Sequence, residues 1–368
     1  MGLWPPRKRL FLPYSWLCKE PFTGEPQNLD NFLRWNVRKT IWLLAVAMSA
    51  MVCAGHAQKL NGAGATFPYP IYSKWFSEYS ATHPGVQINY QSIGSGGGIR
   101  QVTAGTVDFG ASDVPMTDEQ LSASKVKIQP IPTVLGAVVP IFNLQGVTDL
   151  RIGPDVMADI YLGKITKWDD ARIAKDNPGV KLPSVDIFVV HRSDGSGTSF
   201  IFTDYLSKVS KDWASGPGRG AAPSWPKGIG AKGNEGVAGF VRQSPGSIGY
   251  VELIYAMQNK IPFASVKSGG GTWVKASIEG VSEAAASVKN IPNDYRVSIT
   301  NAPGNSYPIA SFTWLLVPDP AKDPGNGKVL VDFLKWMLQH QNEAASLYYA
   351  PLPAPVAQKL AATLNTLK

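Results

Sequence analysis

The chain has 368 residues, of which 44% are hydrophobic and 17% are charged. This composition is typical of a globular protein and excludes a disordered chain, and the length suits one large or two medium domains. The formal charge is +8, and the basic residues after residue 57 are scattered along the chain. Because a nucleic-acid site needs clustered Lys and Arg, we expect no nucleic-acid partner.

The first 57 residues have the pattern of an export signal. Arg38 and Lys39 precede an apolar run over residues 41–54, which is followed by the small-residue site Gly55-His56-Ala57. A basic flank, a short apolar stretch and a small-residue site describe a secretory signal, and the run is shorter than the ~20 residues that span a bilayer. We therefore expect cleavage near Ala57 and a periplasmic mature protein. Residues 1–37 are long for such a signal, and whether they are translated stays open.

Both cysteines, Cys18 and Cys53, lie in this leader. The mature chain is therefore expected to contain neither a disulfide nor a thiol metal ligand. Lipidation at Cys53 is an alternative to cleavage after Ala57, but the preceding residue is Val52 rather than a small residue.

Short apolar runs alternate with amphipathic stretches after the leader, which is the pattern of an α/β fold. The predicted strands cover residues 86–90, 107–111, 134–142, 185–190 and 312–317. The predicted helices cover residues 69–79, 199–209, a turn around 239–241, 327–341 and a final stretch after Pro355. In the helix over 199–209, one face carries Phe202, Tyr205, Leu206 and Val209 at helical spacing.

Four loops share a composition rich in Gly, Ser and Thr. They are residues 62–68 (GAGATFP), 94–98 (GSGGG), 110–113 (GASD) and 191–198 (HRSDGSGT). A helix N-terminus presents free N–H groups and partial positive charge to an anion, and an arginine adds a planar fork of donors. Helix capping explains any one of these loops, but three helix starts together with Arg192 favour a site for a small oxyanion.

Two carboxylates lie within these loops. Asp113 would repel a fully ionised anion, but it could accept a hydrogen bond from a ligand that carries a proton. Phosphate at neutral pH carries a proton and sulfate carries none, so Asp113 favours phosphate. A simple strand-end residue is the alternative interpretation. Asp194 lies two residues after Arg192 and could hold its guanidinium in place, or could simply favour the turn before Gly195.

Motifs of common enzymes are missing from the sequence. It contains neither a G-x-S-x-G nucleophile elbow nor a G-x-x-x-x-G-K-[ST] phosphate loop, and its histidines lack metal-ligand spacing. A G-x-G-x-x-G occurs at Gly228, Gly230 and Gly233, but no strand is predicted before it. We therefore predict a helix start at Gly233-Asn234 on the rim of a cleft, and a protein that is not an enzyme and needs neither cofactor nor metal.

At the four loops the sequence resembles the periplasmic phosphate-binding proteins of ABC transporters, the PstS family. The stretches 159–165 (DIYLGKI), 167–170 (KWDD) and 246–252 (GSIGYVE) are also similar to family sequences. The resemblance implies a class II type periplasmic binding protein, in which two lobes are joined by two hinge-crossing strands. It places the first lobe at 58–141 and 310–368, and the second lobe at 142–309.

The resemblance also implies which residues bind phosphate. Ala65, Thr66 and Phe67 match the first phosphate loop, Ser95 matches a hydroxyl donor, and Asp113 matches the carboxylate that accepts the phosphate proton. The second lobe would contribute Arg192, Ser196, Gly197 and Thr198, with Asp194 as the partner of the arginine. His191 stands where relatives carry another basic residue, which would make the local potential depend on pH.

The expected partners are inorganic phosphate, the permease subunits of a phosphate ABC transporter and, through them, its ATPase. The protein itself is expected to be a monomer. Three alternatives stay open: a secreted phosphatase-like enzyme, a binding protein for another oxyanion such as sulfate, tungstate or molybdate, and a surface or adhesion protein that merely retains the fold.

Overall fold

A computed structural model describes residues 58–367, so the expected leader, its cleavage site and Cys53 lie outside the described residues. The strands are β1 (Gln58–Gly64), β2 (Val86–Ser92), β3 (Phe109–Ser112), β4 (Lys127–Phe142), β5 (Arg151–Ile152), β6 (Phe188–Arg192), β7 (Ile229–Ala231), β8 (Ser247–Glu252), β9 (Ser265–Lys267), β10 (Trp273–Val274) and β11 (Ala310–Asp319).

Helices alternate with these strands. They are α1 (Tyr69–Thr82), α2 (Ser95–Ala104), α3 (Asp118–Ser122), α4 (Pro154–Tyr161), α5 (Ala171–Asp176), α6 (Gly197–Val209), α7 (Lys211–Ser215), α8 (Gly233–Gln243), α9 (Leu253–Asn259), α10 (Ile278–Ala286), α11 (Pro324–Gln339) and α12 (Ala354–Leu364). Among residues 58–367, each helix falls short of the length and apolarity required to cross a bilayer.

One eight-stranded sheet runs through the molecule in the order β2-β1-β3-β11-β4-β8-β6-β7, and β10, β9 and β5 form a small second sheet. At one end β1 pairs in parallel with both β2 and β3, and at the other end β6 pairs in parallel with both β7 and β8. We call the part built on β1, β2, β3 and β11 lobe I, and the part built on β6, β7 and β8 lobe II. The carboxyl ends of parallel strands are the usual place for a ligand in such a sheet.

Strand β4 joins the two lobes. Its residues 127–137 pair antiparallel with β11 in lobe I, and its residues 138–142 pair antiparallel with β8 in lobe II. All of its residues after Lys127 are buried, which explains its nearly continuous run of apolar side chains. The expected two-lobed α/β fold is confirmed.

Most predicted elements occur close to their expected positions. The strands predicted at 86–90, 134–142 and 312–317 lie within longer strands, and the one predicted at 107–111 is observed at 109–112. The strand predicted from residue 185 begins only at Phe188. In α6, Phe202, Tyr205 and Leu206 are fully buried as expected, whereas Val209 is only half-buried.

Strand β1 was not predicted. Its sequence, QKLNGAG, is poor in the β-branched and aromatic residues that favour strands. Its position is set by parallel pairing on both sides, so long-range packing decides its conformation. This strand matters for function because its last residue, Gly64, leads directly into the first of the glycine-rich loops.

Candidate functional site

The residues expected to bind an anion follow strand ends and begin helices. Thr66 lies between β1 and α1, Ser95 is the first residue of α2, and Asp113 follows β3. In lobe II, Arg192 ends β6 and Thr198 lies in the first turn of α6. All five are at most 3% exposed. The fold thus buries polar groups from both lobes, and polar burial requires partners.

Asp113 is held by neighbours from two other elements. Its backbone N–H donates to Ser95 Oγ over 3.1 Å, and Thr313 Oγ1 in β11 donates to its Oδ1 over 2.6 Å. Burial raises the pKa of Asp113 to about 7, against the opposing effects of the Thr313 hydrogen bond and the Arg192 charge. The carboxyl group therefore titrates near neutral pH. Its Oδ2 accepts a long hydrogen bond from Ser95 Oγ over 3.4 Å.

Arg192 is fixed by Asp194, as the sequence suggested. Its Nε donates to Asp194 Oδ1 over 2.8 Å, and its Nη2 donates to Asp194 Oδ2. Two parallel bonds of this kind fix the plane of a guanidinium. Burial alone would raise the pKa of Asp194, but the hydrogen bonds and charge of Arg192 lower it overall, so the pair is ionic.

The N-terminus of α6 provides backbone donors at the same place. Ser196 Oγ accepts from the N–H of Ser199 over 3.0 Å and caps the helix, while the N–H groups of Gly197 and Thr198 have no acceptor within the helix. A Cβ on Gly197 would lie 2.3 Å from Asp113 Oδ2. Because that contact is impossible, only glycine permits the two lobes to approach this closely.

Direct hydrogen bonds link the two lobes around the site. The N–H of Gly96 in α2 donates to the carbonyl oxygen of Gly195 over 2.9 Å. The hydroxyl of Tyr255 in α9 donates to the carbonyl oxygen of Thr66 over 2.6 Å. The lobes are therefore in contact in this structure, and the contacts surround the residues expected to bind the anion.

The loop of Ala65, Thr66 and Phe67 is held from outside the site. Ala65 and Phe67 are fully buried, and the N–H of Ala65 donates to the carbonyl oxygen of Ala111 over 3.0 Å. The hydroxyl of Tyr349 donates to the carbonyl oxygen of Phe67 over 2.6 Å. Together with the Tyr255 bond to Thr66, these bonds engage the carbonyl groups of residues 66 and 67 and hold the loop in place.

His191 is packed rather than directed at the anion site. Its half-buried ring stacks on Trp225, with centroids 4.9 Å apart, and its Nδ1–H donates to the carbonyl oxygen of Arg192 over 3.0 Å. Burial lowers the pKa of His191, opposed by that hydrogen bond. The imidazole is therefore neutral at pH 7, so it adds no second positive charge there.

The glycine motif at residues 228–233 spans β7 and the start of α8. The helix begins at Gly233 as expected, and the N–H of Gly233 donates to Asp194 Oδ1 over 3.1 Å. The expected position on the rim of the cleft is wrong for Asn234, which is fully buried. Its side chain reaches Thr66 in lobe I over 2.7 Å.

Several residues at the site were not identified from the sequence as site residues. Thr313, Tyr255 and Tyr349 approach loops that are 189 to 282 residues away along the chain. A threonine in an apolar strand and tyrosines near helices have no sequence signal that separates them from core residues. Only the position of Asn234 directly after a helix-starting glycine pointed to this region.

Comparison with known proteins agrees with this architecture. The family model of the PBP superfamily domain matches residues 52–341. The chain is 46% identical over 309 residues to the phosphate-binding protein PstS of Xylella fastidiosa, covering 83% of this chain and 84% of that protein. It is 45% identical over 333 residues to PstS of Pasteurella multocida, covering 89% and 96%.

The fold also resembles solved structures. A phosphate-binding protein from Stenotrophomonas maltophilia superposes with a TM-score of 0.63 at 20% identity, covering 83% of this chain and 93% of that one. At this identity the likeness concerns the fold. The sequence relatives and the family model are stronger evidence, and the chain belongs to the PBP superfamily and, within it, to the PstS family.

Proposed function

We propose that this protein is the substrate-binding component of a phosphate ABC import system, and that it binds inorganic phosphate between its two lobes. The observation that carries the proposal is one buried carboxyl group, Asp113, among donors. Ser95 and Thr313 donate to it from lobe I, Gly197 of lobe II lies against its Oδ2, and Arg192 provides the positive charge. A carboxylate in such a site suits an oxyanion that still carries a proton.

The proposed site contains all the residues expected from the resemblance. Ala65, Thr66 and Phe67 form the first phosphate loop, in which the N–H of Ala65 is taken by Ala111. The donors to phosphate are backbone N–H groups and hydroxyls of Thr66, Phe67, Ser95, Ser196, Gly197 and Thr198, while Asp113 accepts the phosphate proton and Asp194 orients Arg192. Burying an anion is costly unless its oxygens receive donors. Each missing bond to a charged group costs about 1.5–3 kcal/mol, which is roughly tenfold or more in affinity.

Capture is proposed to proceed by closure of the lobes. Lobe I would comprise residues 58–141 and 310–368, and lobe II residues 142–309, with β4 and β11 near the hinge. In the open form each half of the site faces water, and bound phosphate bridges the halves. The closed form would be the one that the membrane permease recognises, and the protein would act as a monomer and not as an enzyme.

The proposed location is the periplasm, reached through cleavage near Ala57. The names of the relatives that are 45–46% identical support phosphate as the ligand. N-terminal sequencing of the exported protein would test the cleavage site, and a start at Gln58 is expected. Retention of residues 1–57, or a lipid on Cys53, would contradict this part of the proposal.

Equilibrium dialysis of the mature chain with labelled phosphate tests the function itself. The chain is first stripped of anions by unfolding and refolding, and sulfate, tungstate and molybdate are then added as competitors. We expect one phosphate per chain and little displacement by the non-protonated anions. Absence of phosphate binding, or equal displacement by sulfate, would refute the proposal. A chromogenic phosphoester assay on the same sample checks for the alternative enzymatic activity, which is expected to be absent.

A further inference from the structure

Asn234 lies at the meeting point of the two lobes. It is the second residue of α8 in lobe II, and it is fully buried although its side chain is polar. None of the roles assigned above uses it. A fully buried amide needs acceptors for its two N–H hydrogens and a donor for its carbonyl oxygen. These partners therefore determine how the amide is oriented.

The orientation of the Asn234 amide group is fixed from behind. Its Oδ1 accepts a hydrogen bond from the backbone N–H of Glu252 over 3.0 Å. Because an N–H needs an acceptor, the oxygen of the amide must be on the Glu252 side. The NH2 group therefore points away from β8 and toward the cleft.

The two hydrogens of this NH2 group reach one threonine in each lobe. Asn234 Nδ2 lies 2.7 Å from Thr66 Oγ1 and 3.1 Å from Thr198 Oγ1. Both threonine side chains are buried, and both belong to the proposed phosphate site. A single amide group thus bridges a lobe I hydroxyl and a lobe II hydroxyl.

These bonds decide what the threonine hydroxyls can do. A hydroxyl accepts up to two hydrogen bonds and donates one. Thr198 Oγ1 also accepts from Arg192 Nη1 over 3.3 Å, and Thr66 Oγ1 also faces the backbone N–H of Asn234 over 3.4 Å. The lone pairs of both oxygens are therefore engaged, and within residues 58–367 neither O–H is directed to an acceptor.

We propose that Asn234 is a positioning residue that turns the O–H groups of Thr66 and Thr198 toward the bound oxyanion and ties the two lobes together through them. This inference rests on the proposed function and deepens it. A hydroxyl that is free to rotate can present either a donor or a lone pair, and a lone pair repels an anion. When both hydroxyls are fixed as donors before the anion arrives, the repulsive orientation is excluded. The hydroxyls then lose no rotational entropy when the anion binds.

A purely structural role for Asn234 makes a different prediction. If the amide only anchored the start of α8 to β8, its removal would weaken the fold by the same amount whether or not the threonine hydroxyls were present. If it acts through the hydroxyls, its effect on phosphate affinity must depend on them. Coupling between two substitutions separates these cases.

The test is a double-mutant cycle in phosphate affinity. Phosphate binding is measured by calorimetry for the wild type, Asn234→Ala, Thr198→Val and the double variant, with Asn89→Ala as a control because Asn89 is an exposed asparagine. We expect Asn234→Ala to weaken phosphate binding about tenfold or more, which corresponds to the loss of a buried hydrogen bond from the threonine hydroxyls to the anion. In the Thr198→Val background, adding Asn234→Ala should weaken phosphate binding by at most about a further threefold. The control Asn89→Ala should leave the phosphate affinity unchanged.

Each other outcome has a distinct meaning. Equal losses in both backgrounds, or unchanged affinity of Asn234→Ala, would overturn the inference while leaving the proposed function intact. If the wild type itself bound no phosphate, the proposed function would fail first. Thermal melting establishes that each variant is folded. Should Asn234→Ala not fold, the isosteric Asn234→Asp replaces it in the same cycle, and since a carboxylate would accept from the hydroxyls, an even larger loss is expected.

Discussion

Ser95 Oγ accepts a hydrogen bond from the backbone N–H of Asp113 over 3.1 Å. This bond joins the first residue of α2 to the loop after β3, so two of the glycine-rich loops of lobe I form one unit. Thr313 holds Oδ1 of the same aspartate, while Oδ2 faces Gly197 at the start of α6. Oδ2 accepts only a long hydrogen bond from Ser95 Oγ, over 3.4 Å, among the bonds described for residues 58–367, and it is aimed at the other lobe, where the anion is proposed to bind.

Substituting Asp113→Asn tests the role of this acceptor. The amide would offer a donor where the phosphate proton needs an acceptor, so we expect phosphate affinity to fall about tenfold or more. Discrimination against sulfate should weaken at the same time. Asp186→Asn is the matched control, because Asp186 is exposed. Calorimetry showing unchanged phosphate affinity in Asp113→Asn would contradict the assigned role.

The same carboxyl group should make the phosphate-free protein depend on pH. The pKa of Asp113 is raised by burial from 3.8 to about 7, so the folded state binds a proton that the unfolded state lacks between these values. The contribution of protonated Asp113 to the free energy of unfolding is fully present below the lower pKa, and it is lost as pH rises through the higher pKa. From pH 5 to pH 7 this loss is about 2–3 kcal/mol.

Urea unfolding of phosphate-free protein at pH 5 and pH 8 measures this effect. Asp113→Asn cannot ionise, so it should lose less stability over this range than the wild type does. At pH 8 the variant is expected to be the more stable of the two proteins. Identical pH dependence of the two proteins would show that Asp113 does not titrate in this window.

Arg192→Ala should weaken phosphate binding more than Ser95→Ala does. Arg192 offers charged donors, each worth about 1.5–3 kcal/mol, whereas a neutral hydroxyl bond is worth about 1 kcal/mol. The loss for the arginine is therefore expected to be about a hundredfold against roughly fivefold for the serine. Removing the guanidinium also leaves Asp194 buried without its partner, so melting must show that the variant is folded.

Titration calorimetry on both variants checks this order. Arg242→Ala is a suitable control, since Arg242 is exposed on α8 in the same lobe. It should bind phosphate as the wild type does. Equal losses for Arg192→Ala and Ser95→Ala would mean that the guanidinium does not contact the anion.

Tyr255→Phe should weaken the closed arrangement without removing a group that contacts phosphate. The hydroxyl of Tyr255 in lobe II donates to the carbonyl oxygen of Thr66 in lobe I, and a neutral bond of this kind is worth about 1 kcal/mol. Phosphate release measured by stopped flow should therefore be about fivefold faster. Tyr69→Phe is the control, because Tyr69 is 40% exposed. Equal release rates in all three proteins would show that the bond does not hold the lobes together.

The four glycine-rich loops proposed to bind the anion could be found in the sequence because their signals are local. Glycine, serine and threonine before a helix have a physical reason to be there that needs no knowledge of the rest of the chain. Asp194 was placed correctly for the same reason, since its partner Arg192 is two residues away. The second part of strand β4, residues 134–142, was also predictable, because burial on both faces requires a continuous apolar run.

Other parts of the site depend on contacts that a local pattern cannot show. The strand β1 is stabilised by its two parallel neighbours despite its glycines, so its sequence does not identify it. Thr313 reaches Asp113 across 200 residues of chain, and Asn234 reaches Thr66 across 168. Such pairs exist only because strand pairing and contact between the lobes bring distant residues together, which explains why Asn234 was expected at the rim and is instead buried.

The most direct measurement is calorimetry of the anion-stripped mature chain with phosphate and with sulfate between pH 5 and pH 9. The account predicts tight binding of one phosphate, and a preference over sulfate that is largest above pH 7, where Asp113 is ionised. As pH falls below 7, protonated Asp113 can donate to sulfate, so the preference should shrink. Failure to bind phosphate, or equal affinity for sulfate at pH 8, would contradict the account.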